Sequence, residues 1–488
     1  MQPEEQLIQQ RIIKLKRLKE LGINPYPYSF KGTTYSKEIL GKNKKLEKDT
    51  KTNKNVKISG RIITLRDMGK VSFGHIQDFK GKIQFYIRED DNKNNYEILK
   101  NLDLGDIIGV EGTIFTTKAG EITIWTKKLI LLAKALRPLP EKWHGLQDIE
   151  ARYRYRHLDF ISNPEVKETF VKRAEILRAI HEFMDSKGFI EIDTPILQSI
   201  YGGAHARPFK TFLHDLKSDM FLRISDELYL KRLMVGGFDK VYEIGRDFRN
   251  ESITRLHNPE FTMMEAYWAY TDYNDMMELT EDLFNYIAKK VFGTTKFKIN
   301  KNTIDIKKPW KRMTMKDALK KFANLDVDKK NDTELMHLLE QNDIDIKEFS
   351  RGIATAELFK FLVEPKLIQP IFIYDYPKET TPLCKVKRDN PELIERFEPF
   401  INGWELGNAY SELNDPIIQR DLLEKQAEEL SKGKEEAHPM DEDFIRALEI
   451  GMPTMSGLGI GIDRMIMLFT GKESIRDVIA FPFMKPEK

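Results

Sequence analysis

Segment 241–270 carries an arginine, several glutamates and several aromatic residues at alternating positions. Alternate residues of a β-strand point to the same face, so Arg249 and Glu251 are expected to project together, as are Glu265 and Tyr267. The polar stretch between the two sets ends in Asn-Pro, which favours a turn or loop over a continuing helix. A guanidinium binds phosphate or carboxylate through a planar fork. The segment therefore predicts a β-hairpin whose charged face can bind an anion.

Three glutamates, Glu398, Glu405 and Glu412, recur at intervals of seven in segment 396–415. A helix would align them on one face, but a proline and two glycines in the same segment argue against a helix. Strand parity instead groups Asn408 with Glu412. Glu405 joins that face only if the strand bends or bulges, and the glycine two residues later is the expected position. Spaced surface charge is the alternative interpretation of these glutamates.

Two further segments combine glycine or proline with an amphipathic pattern. Residues 457–468 (GLGIGIDRMIML) predict a glycine-spaced strand that enters a helix carrying Arg464. The glycines lack the spacing of a dinucleotide-binding fold, and no Walker lysine follows them. Upstream, residues 170–195 predict a long amphipathic helix and then a strand that ends at Pro195.

In chain order, residues 170–195, 241–270 and 457–468 resemble motifs 1, 2 and 3 of the class II aminoacyl-tRNA synthetases. The second segment contains the Phe-Arg-x-Glu pattern, then a loop, then a His and a Phe that begin the next strand. Within that family the chain is similar to the lysine-specific subclass that carries an N-terminal anticodon-binding OB-fold. The resemblance implies an antiparallel catalytic sheet with helices, and a homodimer formed through motif 1.

The resemblance also implies ATP-dependent adenylation, in which a carboxylate attacks the α-phosphate of ATP, followed by acyl transfer to a ribose hydroxyl. Both steps depend on positioning and charge neutralisation. Arg249 is expected to hold the α-phosphate and the amino-acid carboxylate, while Phe261 and Arg464 cover opposite faces of the adenine. Arg249 and Arg464 are the expected catalytic residues. The remaining ATP contacts are expected to be Glu251, His257 and Asn258.

Mg²⁺ prefers carboxylate oxygens, and the resemblance assigns this ion to Glu398 and Glu405. For the amino acid, an aspartate side chain requires cationic partners, whereas a lysine ammonium requires carboxylates and a hydroxyl. This chain offers carboxylates, so L-lysine is the predicted substrate, with Glu227 and Glu412 facing its ammonium. The predicted lysine contacts are Gly203, Glu227, Glu265, Tyr267, Asn408 and Glu412.

Residues 56–136 contain five short β-rich runs separated by turns, which indicates an OB barrel. An amphipathic helix is predicted before it, over residues 7–21. The face of strands 2 and 3 of an OB-fold binds single-stranded nucleic acid by stacking bases on aromatic rings. The resemblance assigns anticodon binding to Arg66, Phe73 and Gln84, with Phe73 stacking on the central uridine. Packing of Phe73 inside the barrel is the alternative.

The 488 residues include 79 basic and 77 acidic side chains, so an RNA-binding surface must come from local clustering of charge. A single cysteine, Cys384, excludes an internal disulfide and a cysteine zinc cluster, and fits a reducing cytosol. The N-terminal residues lack the continuous apolar core of a signal peptide or membrane span. We predict a cytoplasmic protein with an N-terminal domain over 1–145, a catalytic domain over 146–488 and a helical insertion at about 310–365, the two domains being joined over 136–148.

The predicted fold class is α+β: an antiparallel catalytic sheet with helices, preceded by a five-stranded OB barrel. The predicted function is ATP- and Mg²⁺-dependent attachment of L-lysine to tRNA(Lys) through a lysyl-adenylate, by a homodimer. A related enzyme for aspartate or asparagine is disfavoured by the carboxylates of the substrate pocket, and a protein-lysylating relative by the OB domain. A non-catalytic RNA-binding homologue is disfavoured because Arg249, Arg464, Glu398 and Glu405 are all present.

Overall fold

The computed structural model describes residues 3–140, 146–346, 348–433 and 436–487. The chain divides into two compact units, Met1–Leu146 and Gln147–Lys488. The joint predicted over 136–148 includes residues 141–145, which lie outside the described residues. Within the described ranges, no helix is both long enough and apolar enough to cross a membrane.

The first unit contains a closed five-stranded barrel, and this confirms the predicted OB-fold. The elements of this unit are α1 (Pro3–Glu20), α2 (Ser36–Asn43), β1 (Lys51–Asp67), β2 (Val71–Gln77), β3 (Lys82–Arg88), α3 (Lys93–Lys100), β4 (Ile107–Thr116) and β5 (Ile122–Ala133). The strand order around the barrel is β1-β2-β3-β5-β4, in which only the pair β3–β5 is parallel.

Alternation along β2 separates the barrel interior from its outer face. Gly74 and Ile76 are buried, whereas Phe73 is partly exposed. Gly74 leaves no room for a side chain, because a Cβ there would lie 2.4 Å from the ring of Phe85, which fills the interior. Phe73 therefore lies on the outer face, and the alternative that it packs inside the barrel is wrong.

The second unit contains the remaining elements. Its helices are α4 (Ile149–Arg154), α5 (Arg156–Ser162), α6 (Pro164–Ser186), α7 (Glu227–Val235), α8 (Tyr273–Ile287), α9 (Met315–Ala323), α10 (Asp332–Gln341), α11 (Arg351–Leu362), α12 (Pro416–Ser431), α13 (Glu442–Gly451), α14 (Ile462–Thr470) and α15 (Ile475–Val478). Its strands are β6 (Ile190–Glu191), β7 (Leu197–Gln198), β8 (Phe209–Leu213), β9 (Ser218–Leu222), β10 (Lys240–Phe248), β11 (Glu260–Ala269), β12 (Lys296–Ile299), β13 (Asn302–Asp305), β14 (Lys311–Thr314), β15 (Ile371–Pro377), β16 (Val386–Lys387), β17 (Asn390–Ile401), β18 (Trp404–Glu405), β19 (Gly407–Ser411) and β20 (Met455–Gly461).

The main sheet of this unit runs in the order β14-β15-β17-β19-β20-β11-β10-β6, with β16 and β18 paired to β17. The pairs from β15 to β10 are antiparallel, as predicted. The outermost pairs, β14–β15 and β10–β6, are parallel. Parallel pairing needs a crossover connection, and both pairs have one. Helices α9 to α11 connect β14 to β15, and strands β7 to β9 with α7 connect β6 to β10.

Helices α6, α8 and α14 pack with the sheet in the largest hydrophobic cluster. The long helix predicted within residues 170–195 is confirmed as α6, in which Ile176 and Ile180 are fully buried. The strand predicted to end at Pro195 is the short β6, which ends at Glu191. Arg173 of the same helix donates to Thr262 Oγ1 at 2.8 Å and forms an ion pair with Asp463. This arginine therefore ties α6 to β11, the second strand of the predicted motif 2, and to α14, the helix of the predicted motif 3.

Three helices, α9, α10 and α11, occupy the region where a helical insertion was expected. They share a second hydrophobic cluster with side chains of β15 and β17. Leu335 of α10 and Leu358 of α11 are fully buried in it. Lys347, between these two helices, lies outside the described residues. The region thus has a core of its own beside the main sheet.

Candidate active site

A pocket with a cavity volume of about 320 Å³ lies over the middle of the main sheet. Strands β11, β20 and β19 form its floor, and Gly457 of β20 pairs with Tyr267 on one side and Tyr410 on the other. The predicted site residues that line the pocket are Gly203, Glu227, Arg249, Glu251, His257, Asn258, Phe261, Glu265, Tyr267, Glu398, Glu405, Asn408, Glu412 and Arg464. The fold thus brings together side chains that are widely separated in the sequence.

Arg249 lies just beyond the first strand of the hairpin, since β10 ends one residue before it. Strand alternation therefore does not orient this residue, and that step of the prediction is wrong. Its backbone N–H donates to Pro259 O at 2.9 Å, and its Nε donates to Ile224 O at 3.3 Å. Its guanidinium lies over the Phe261 ring, 5.1 Å from the centroid. We call Arg249, Phe261 and Arg464 the arginine end of the pocket.

Arg464, in the first turn of α14, connects three segments. Nη1 donates to Glu405 O at 2.6 Å, Nη2 to His257 Nε2 at 2.9 Å, and Nε to Leu256 O at 3.4 Å. Because a guanidinium cannot accept a hydrogen bond, His257 Nε2 must be the acceptor, and the ring proton is on Nδ1, 2.8 Å from Thr254 Oγ1. Burial, and then the charge of Arg464, lower the pKa of His257. The imidazole is therefore neutral at pH 7.

The side chain of Asn258 is held at both ends of its amide. Nδ2 donates to Glu260 O at 2.6 Å, and Oδ1 accepts from the backbone N–H of Phe483 at 3.2 Å. Asn258 therefore orders the loop between β10 and β11. Glu251, in the same loop, is exposed and lies outside β10, so the strand alternation that was expected to orient it does not apply.

The predicted position of Glu405 required a bulge, and the strand pairing around this residue contains one. Arg396 pairs with Tyr410, whereas Phe400 pairs with Glu405, so the register shifts by one residue between these pairs. A shift of one residue moves a side chain to the other face of a sheet. The bulge therefore puts Glu405 on the same face as Glu398.

Glu398 accepts from Tyr376 Oη at 2.7 Å and forms an ion pair with Arg396. Burial raises the pKa of Glu398, while Arg396 opposes the rise and Glu405 adds to it. A third carboxyl, Glu364, has its pKa raised to about 8 by burial and by the charges of Glu398 and Glu405. Carboxyl groups that repel one another in this way fit a hard divalent cation, because a bound cation removes the repulsion.

Glu227 and Glu412 flank a buried lysine. Lys231 Nζ lies 2.5 Å from Glu227 Oε1 and 2.5 Å from Glu412 Oε2, and the lysine is fully buried. Lys231 donates a hydrogen bond to Glu227, whereas neither oxygen of Glu412 has a hydrogen-bond partner among the described residues. Gly457 makes room for this arrangement, because a Cβ there would lie 2.1 Å from Glu412 Oε1 and 2.5 Å from Tyr267 Cε1. We call Glu227, Lys231 and Glu412 the acidic end of the pocket.

Strand β20 orders the pocket from one end to the other. Gly457 faces the acidic end, a Cβ at Gly459 would lie 3.9 Å from Glu265 Cγ, and one at Gly461 would lie 3.8 Å from Arg464 Cδ. Alternate residues share a face, and each residue of a strand advances about 3.3 Å, so the two ends lie roughly 13 Å apart. Glu265 is therefore in the middle.

Glu265 accepts from Tyr267 Oη at 3.1 Å, and the carboxylates of Asp226 and Asp247 place oxygens within 4.8 Å of its own. Burial raises the pKa of Glu265 to about 7, with the charge of Asp247 adding to the rise. Burial also raises the pKa of Asp226 well above its usual range. Arg223 Nε lies 3.0 Å from Asp247 Oδ1. Arg223, which also pairs with Glu243, is therefore the cation that lies beside these buried carboxylates.

Two other predicted lysine contacts are fixed by local geometry. Gly203 has φ +88°, and a Cβ there would lie 2.7 Å from Ser225 Oγ and 2.9 Å from Glu227 Cβ, so only glycine fits. Asn408 Oδ1 accepts from Arg396 Nε at 3.0 Å, which fixes the orientation of the amide in the pocket.

The predicted RNA-binding residues of the first unit lie on the outer face of its barrel. Arg66 is exposed and pairs with Phe73 across β1 and β2. Gln84 donates to Glu121 Oε2 at 2.8 Å and accepts from Thr123 Oγ1 at 2.7 Å, so its amide is oriented by its neighbours. The rings in mutual contact on this face are Phe73, Tyr86, Phe115 and Trp125. The face thus offers an aromatic surface larger than the single ring that was predicted.

Sequence reasoning missed three charged residues at or beside the pocket: Arg396 lines it, whereas Lys231 and Glu364 lie next to residues that line it. Lys231 follows Glu227 by four residues, a spacing that pairs side chains on a helix and could have been used to find it. Arg396 precedes Glu398 by two residues, and strand parity could have grouped them. Glu364 gave no such signal, because the fold brings it near Glu398 and Glu405 from the segment after α11.

Comparison with known proteins agrees with this geometry. Residues 148–485 match the family model described as tRNA synthetases class II (D, K and N), and residues 56–132 match the model described as OB-fold nucleic acid binding domain. The match to the synthetase model covers more than half of the chain and contains the whole pocket.

Curated relatives extend over nearly the full length. The lysine–tRNA ligase of Carboxydothermus hydrogenoformans is 50% identical over 484 residues, which cover 99% of this chain and 98% of the relative. That of Pelotomaculum thermopropionicum is 51% identical over 488 residues, covering 99% and 96%. That of Thermoanaerobacter sp. X514 is 52% identical over 486 residues, with the same coverage. The chain therefore belongs to the class II aminoacyl-tRNA synthetases and, within that family, to the lysine–tRNA ligases.

Proposed function

We propose that this protein attaches L-lysine to tRNA(Lys) in two steps, with ATP as substrate and a lysyl-adenylate as intermediate. One observation carries the proposal: the acidic end and the arginine end lie at opposite ends of a single pocket. A lysine ammonium fits the first and a polyphosphate fits the second. The relatives that match along the whole chain are named for the same reaction.

In this proposal the amino acid lies along β20. Its side-chain ammonium binds Glu227 and Glu412, its α-amino group binds Glu265, and its carboxylate points to Arg249. Tyr267 is proposed as the hydroxyl partner of the ammonium, and its hydroxyl donates to Glu265 in the absence of substrate. The remaining contacts are Gly203, through its backbone, and Asn408, through its amide. The separation of the two ends, roughly 13 Å, suits an extended lysine joined to a nucleotide.

The chemical step requires charge neutralisation more than a strong base. A carboxylate oxygen of lysine attacks the α-phosphorus, the bond from that phosphorus to the bridging oxygen breaks, and pyrophosphate leaves. Arg249 binds both reacting groups and neutralises the charge that builds up between them. Phe261 and Arg464 hold the adenine between them. Glu251, His257 and Asn258 are proposed as the other ATP contacts, with the neutral His257 acting near the terminal phosphates.

Mg²⁺ is the metal that the carboxyl groups fit, since they repel one another and offer hard oxygen donors. Glu398 and Glu405 would hold it beside the phosphates of ATP. When bound, the ion supplies additional neutralisation of phosphate charge. The residues of the chain do the rest: Arg396 and Tyr376 hold Glu398 in place, and Arg464 holds the backbone of Glu405.

The first unit is proposed to bind the anticodon of the tRNA. An aromatic surface that stacks bases is the usual way in which OB-folds bind single strands. Phe73 is partly exposed on that surface, and Arg66 beside it can contact a phosphate or a base edge. Gln84 presents a fixed amide on the neighbouring strand, so it is proposed to read a base edge.

A homodimer acting in the cytoplasm completes the proposal. The segment after α6 exposes a run of apolar side chains that a second copy would cover. Each of these residues is at least 37% exposed: Ile190, Ile196, Leu197 and Ile200. The cytoplasmic location is proposed because the tRNA and ATP substrates are found there.

The experiment that tests the function is ATP–pyrophosphate exchange with Mg²⁺, performed with lysine, aspartate and asparagine in parallel. We expect exchange with lysine alone, followed by lysine transfer when tRNA(Lys) is added. Arg249→Ala should abolish exchange, because the guanidinium binds both reacting groups. Arg246→Ala is a matched control, since Arg246 is an exposed arginine of the same hairpin that reaches Glu260 only at 3.8 Å.

The outcomes separate the alternatives. Exchange with aspartate or asparagine would assign the enzyme to another branch of its family. Absence of exchange with every amino acid, in a folded protein that still binds tRNA, would leave the non-catalytic RNA-binding homologue as the better account. Lysine adenylation without transfer to tRNA would favour a protein-lysylating relative.

A further inference from the structure

The acidic end contains a cation of the protein itself. Glu227 and Glu412 line the pocket, but Lys231, which lies between them, is fully buried behind the pocket wall. Its Nζ engages one oxygen of each carboxylate, Glu227 Oε1 and Glu412 Oε2. Neither oxygen of Glu412 has a hydrogen-bond partner among the described residues, so its contact with Lys231 is an ion pair without hydrogen-bond geometry. The geometry therefore contains an ammonium that is bound in the way expected of the substrate.

We propose that Lys231 is a specificity-determining positioning residue, which neutralises one of the two carboxylates and holds both in place, so that the acidic end accepts one further positive charge. Two carboxylates and one ammonium leave a net charge of −1, and the substrate ammonium brings it to zero. This inference rests on the proposed lysine specificity. Lys231 acts through Glu227 and Glu412, and it does not touch the substrate.

The titratable groups around this triad include three that are neutral at pH 7 and an arginine that is paired with a carboxylate outside the triad. Burial raises the pKa values of Tyr267 and Cys384, and burial lowers the pKa of His438 to about 3, so all three are neutral at pH 7. Arg396 is paired with Glu398. The charged or titratable groups that face the triad from neighbouring elements are Asp226, Glu265, Tyr267, Cys384, Arg396, Tyr410 and His438.

Removal of Lys231 has a defined electrostatic consequence. Burial raises the pKa of Glu412, Lys231 opposes the rise, and Glu227 adds to it. Without the lysine, the two carboxylates face each other in a buried site, where like charges cannot both remain ionised. Glu412, whose pKa burial already raises, then holds a proton more tightly. A substrate ammonium must displace that proton, so its affinity becomes more strongly pH-dependent.

The sharpest test compares three variants by the KM for lysine in ATP–pyrophosphate exchange. Glu412→Gln leaves Glu227 and Lys231 as a balanced pair with no charge for the substrate. Lys231→Met in that background restores the net charge of −1. We therefore expect the KM for lysine of the double variant to be at least about tenfold lower than that of Glu412→Gln. The second substitution would then improve lysine binding. A lysine with a purely structural role would make the double variant worse than the single one.

The pH profile of Lys231→Met provides an independent readout. Burial raises the pKa of Glu412 and Lys231 opposes the rise, so the pH above which KM for lysine falls should be higher in Lys231→Met than in the wild type. A pH profile of KM that coincides with that of the wild type would overturn the proposal. If the single variant does not fold, the double variant, which removes a buried charge together with its partner, keeps the test available.

The matched control is Arg232→Met, on the next residue of α7. Arg232 forms a 2.7 Å ion pair with Asp441, outside the pocket, and its removal also takes one cation from the same helix. We expect its KM for lysine to be independent of pH relative to the wild type. Absence of lysine exchange in the wild type would refute the proposed function itself. Normal exchange in the wild type with no rescue by Lys231→Met would refute only the role of Lys231.

Discussion

The two ends of the pocket hold their charges in different ways. At the arginine end, Arg249 donates to a neutral carbonyl and lies over a ring, and Arg464 donates to two carbonyls and a neutral imidazole. At the acidic end, both carboxylates face an ammonium of the protein. At the first end no carboxylate of the described residues hydrogen-bonds either guanidinium, although Glu405 lies 3.6 Å from Arg464 and the charges of Arg249 and Arg464 also act on Asp247 and Glu364. At the second end one ammonium of the protein offsets one of the two negative charges.

This difference follows from the charges of the two ligands. ATP carries several negative charges, and cations held by neutral groups keep their full attraction for it. Lysine brings a single positive charge on its side chain. Two unpaired carboxylates in a buried site would bind a proton in its absence, and the cost of burying them both ionised is large. A pocket that fits both ligands thus needs unreduced charge at one end and partly neutralised charge at the other.

The largest expected effect comes from filling the space beside the acidic end. In Gly457→Ala the new methyl group would lie 2.1 Å from Glu412 Oε1 and 2.5 Å from the Tyr267 ring, so both must move. We expect KM for lysine to rise more than about 100-fold and the free energy of unfolding to fall by about 1–3 kcal/mol, the usual cost of overpacking. Exchange assays and urea unfolding measure the two.

Gly459→Ala is the control for this change, because its nearest neighbours would lie 3.8 Å away, at ordinary contact distance. Its free energy of unfolding should remain within about 0.5 kcal/mol of the wild type. Equal destabilisation by the two substitutions would show that the close approach at Gly457 has no special cost.

A smaller effect is expected at the arginine end. Arg464→Met removes the hydrogen bonds to Leu256, Glu405 and His257, and a hydrogen bond to a charged group contributes about 1.5–3 kcal/mol, so KM for ATP should rise about 10- to 100-fold. The pKa of His257 should rise as well, because the nearby positive charge that lowers it is removed. NMR titration of the imidazole measures that shift.

The KM for lysine should change much less in this variant than the KM for ATP. Arg446→Met, which removes an exposed ion pair between Arg446 and Asp443, should leave both values unchanged. An equal rise of both KM values in Arg464→Met would mean that the two ends do not act separately.

The smallest effect distinguishes the ends without any substitution. Raising the salt concentration from about 0.1 M to about 1 M shortens the screening length from about 10 Å to about 3 Å, which weakens the attraction of exposed charges. We expect KM for ATP to rise several-fold and KM for lysine by less than about twofold, because the acidic end is buried and screened less. Equal salt sensitivity of the two KM values, measured by exchange, would contradict the comparison.

The hydrophobic periodicity of the sequence was sufficient to predict helices and strands that bury one face. The five barrel strands, the long helix α6, and the strand and helix β20 and α14 all lie where the sequence predicted them. The bulge near Glu405 was also predictable, because strand parity left Glu405 on the wrong face without it. Local rules of this kind need only the residues of one segment.

Other features were not predicted. In some cases a pattern in the sequence was overlooked, and in others the feature depends on contacts between distant segments. The composition of residues 42–57, rich in lysine and asparagine, indicates a solvated loop, yet β1 begins at Lys51 because β4 pairs with it. The turn at Asn402–Gly403, with φ of 58° and 72°, is an Asn-Gly pair that could have been predicted. The contact of Lys231 with Glu412 joins distant parts of the chain, and no local pattern predicts it.

Lys231, the buried lysine of α7, also sets the number of substitutions that separate this pocket from a pocket for another amino acid. Each carboxylate that is lost raises the net charge of the acidic end by one. A neutral pocket, suited to an uncharged side chain, is therefore one substitution away, and a positive pocket, suited to an acidic amino acid, is two. The intermediate on the longer route is charge-balanced, so an ancestral enzyme could change its amino acid without passing through a protein that contains an unpaired buried charge.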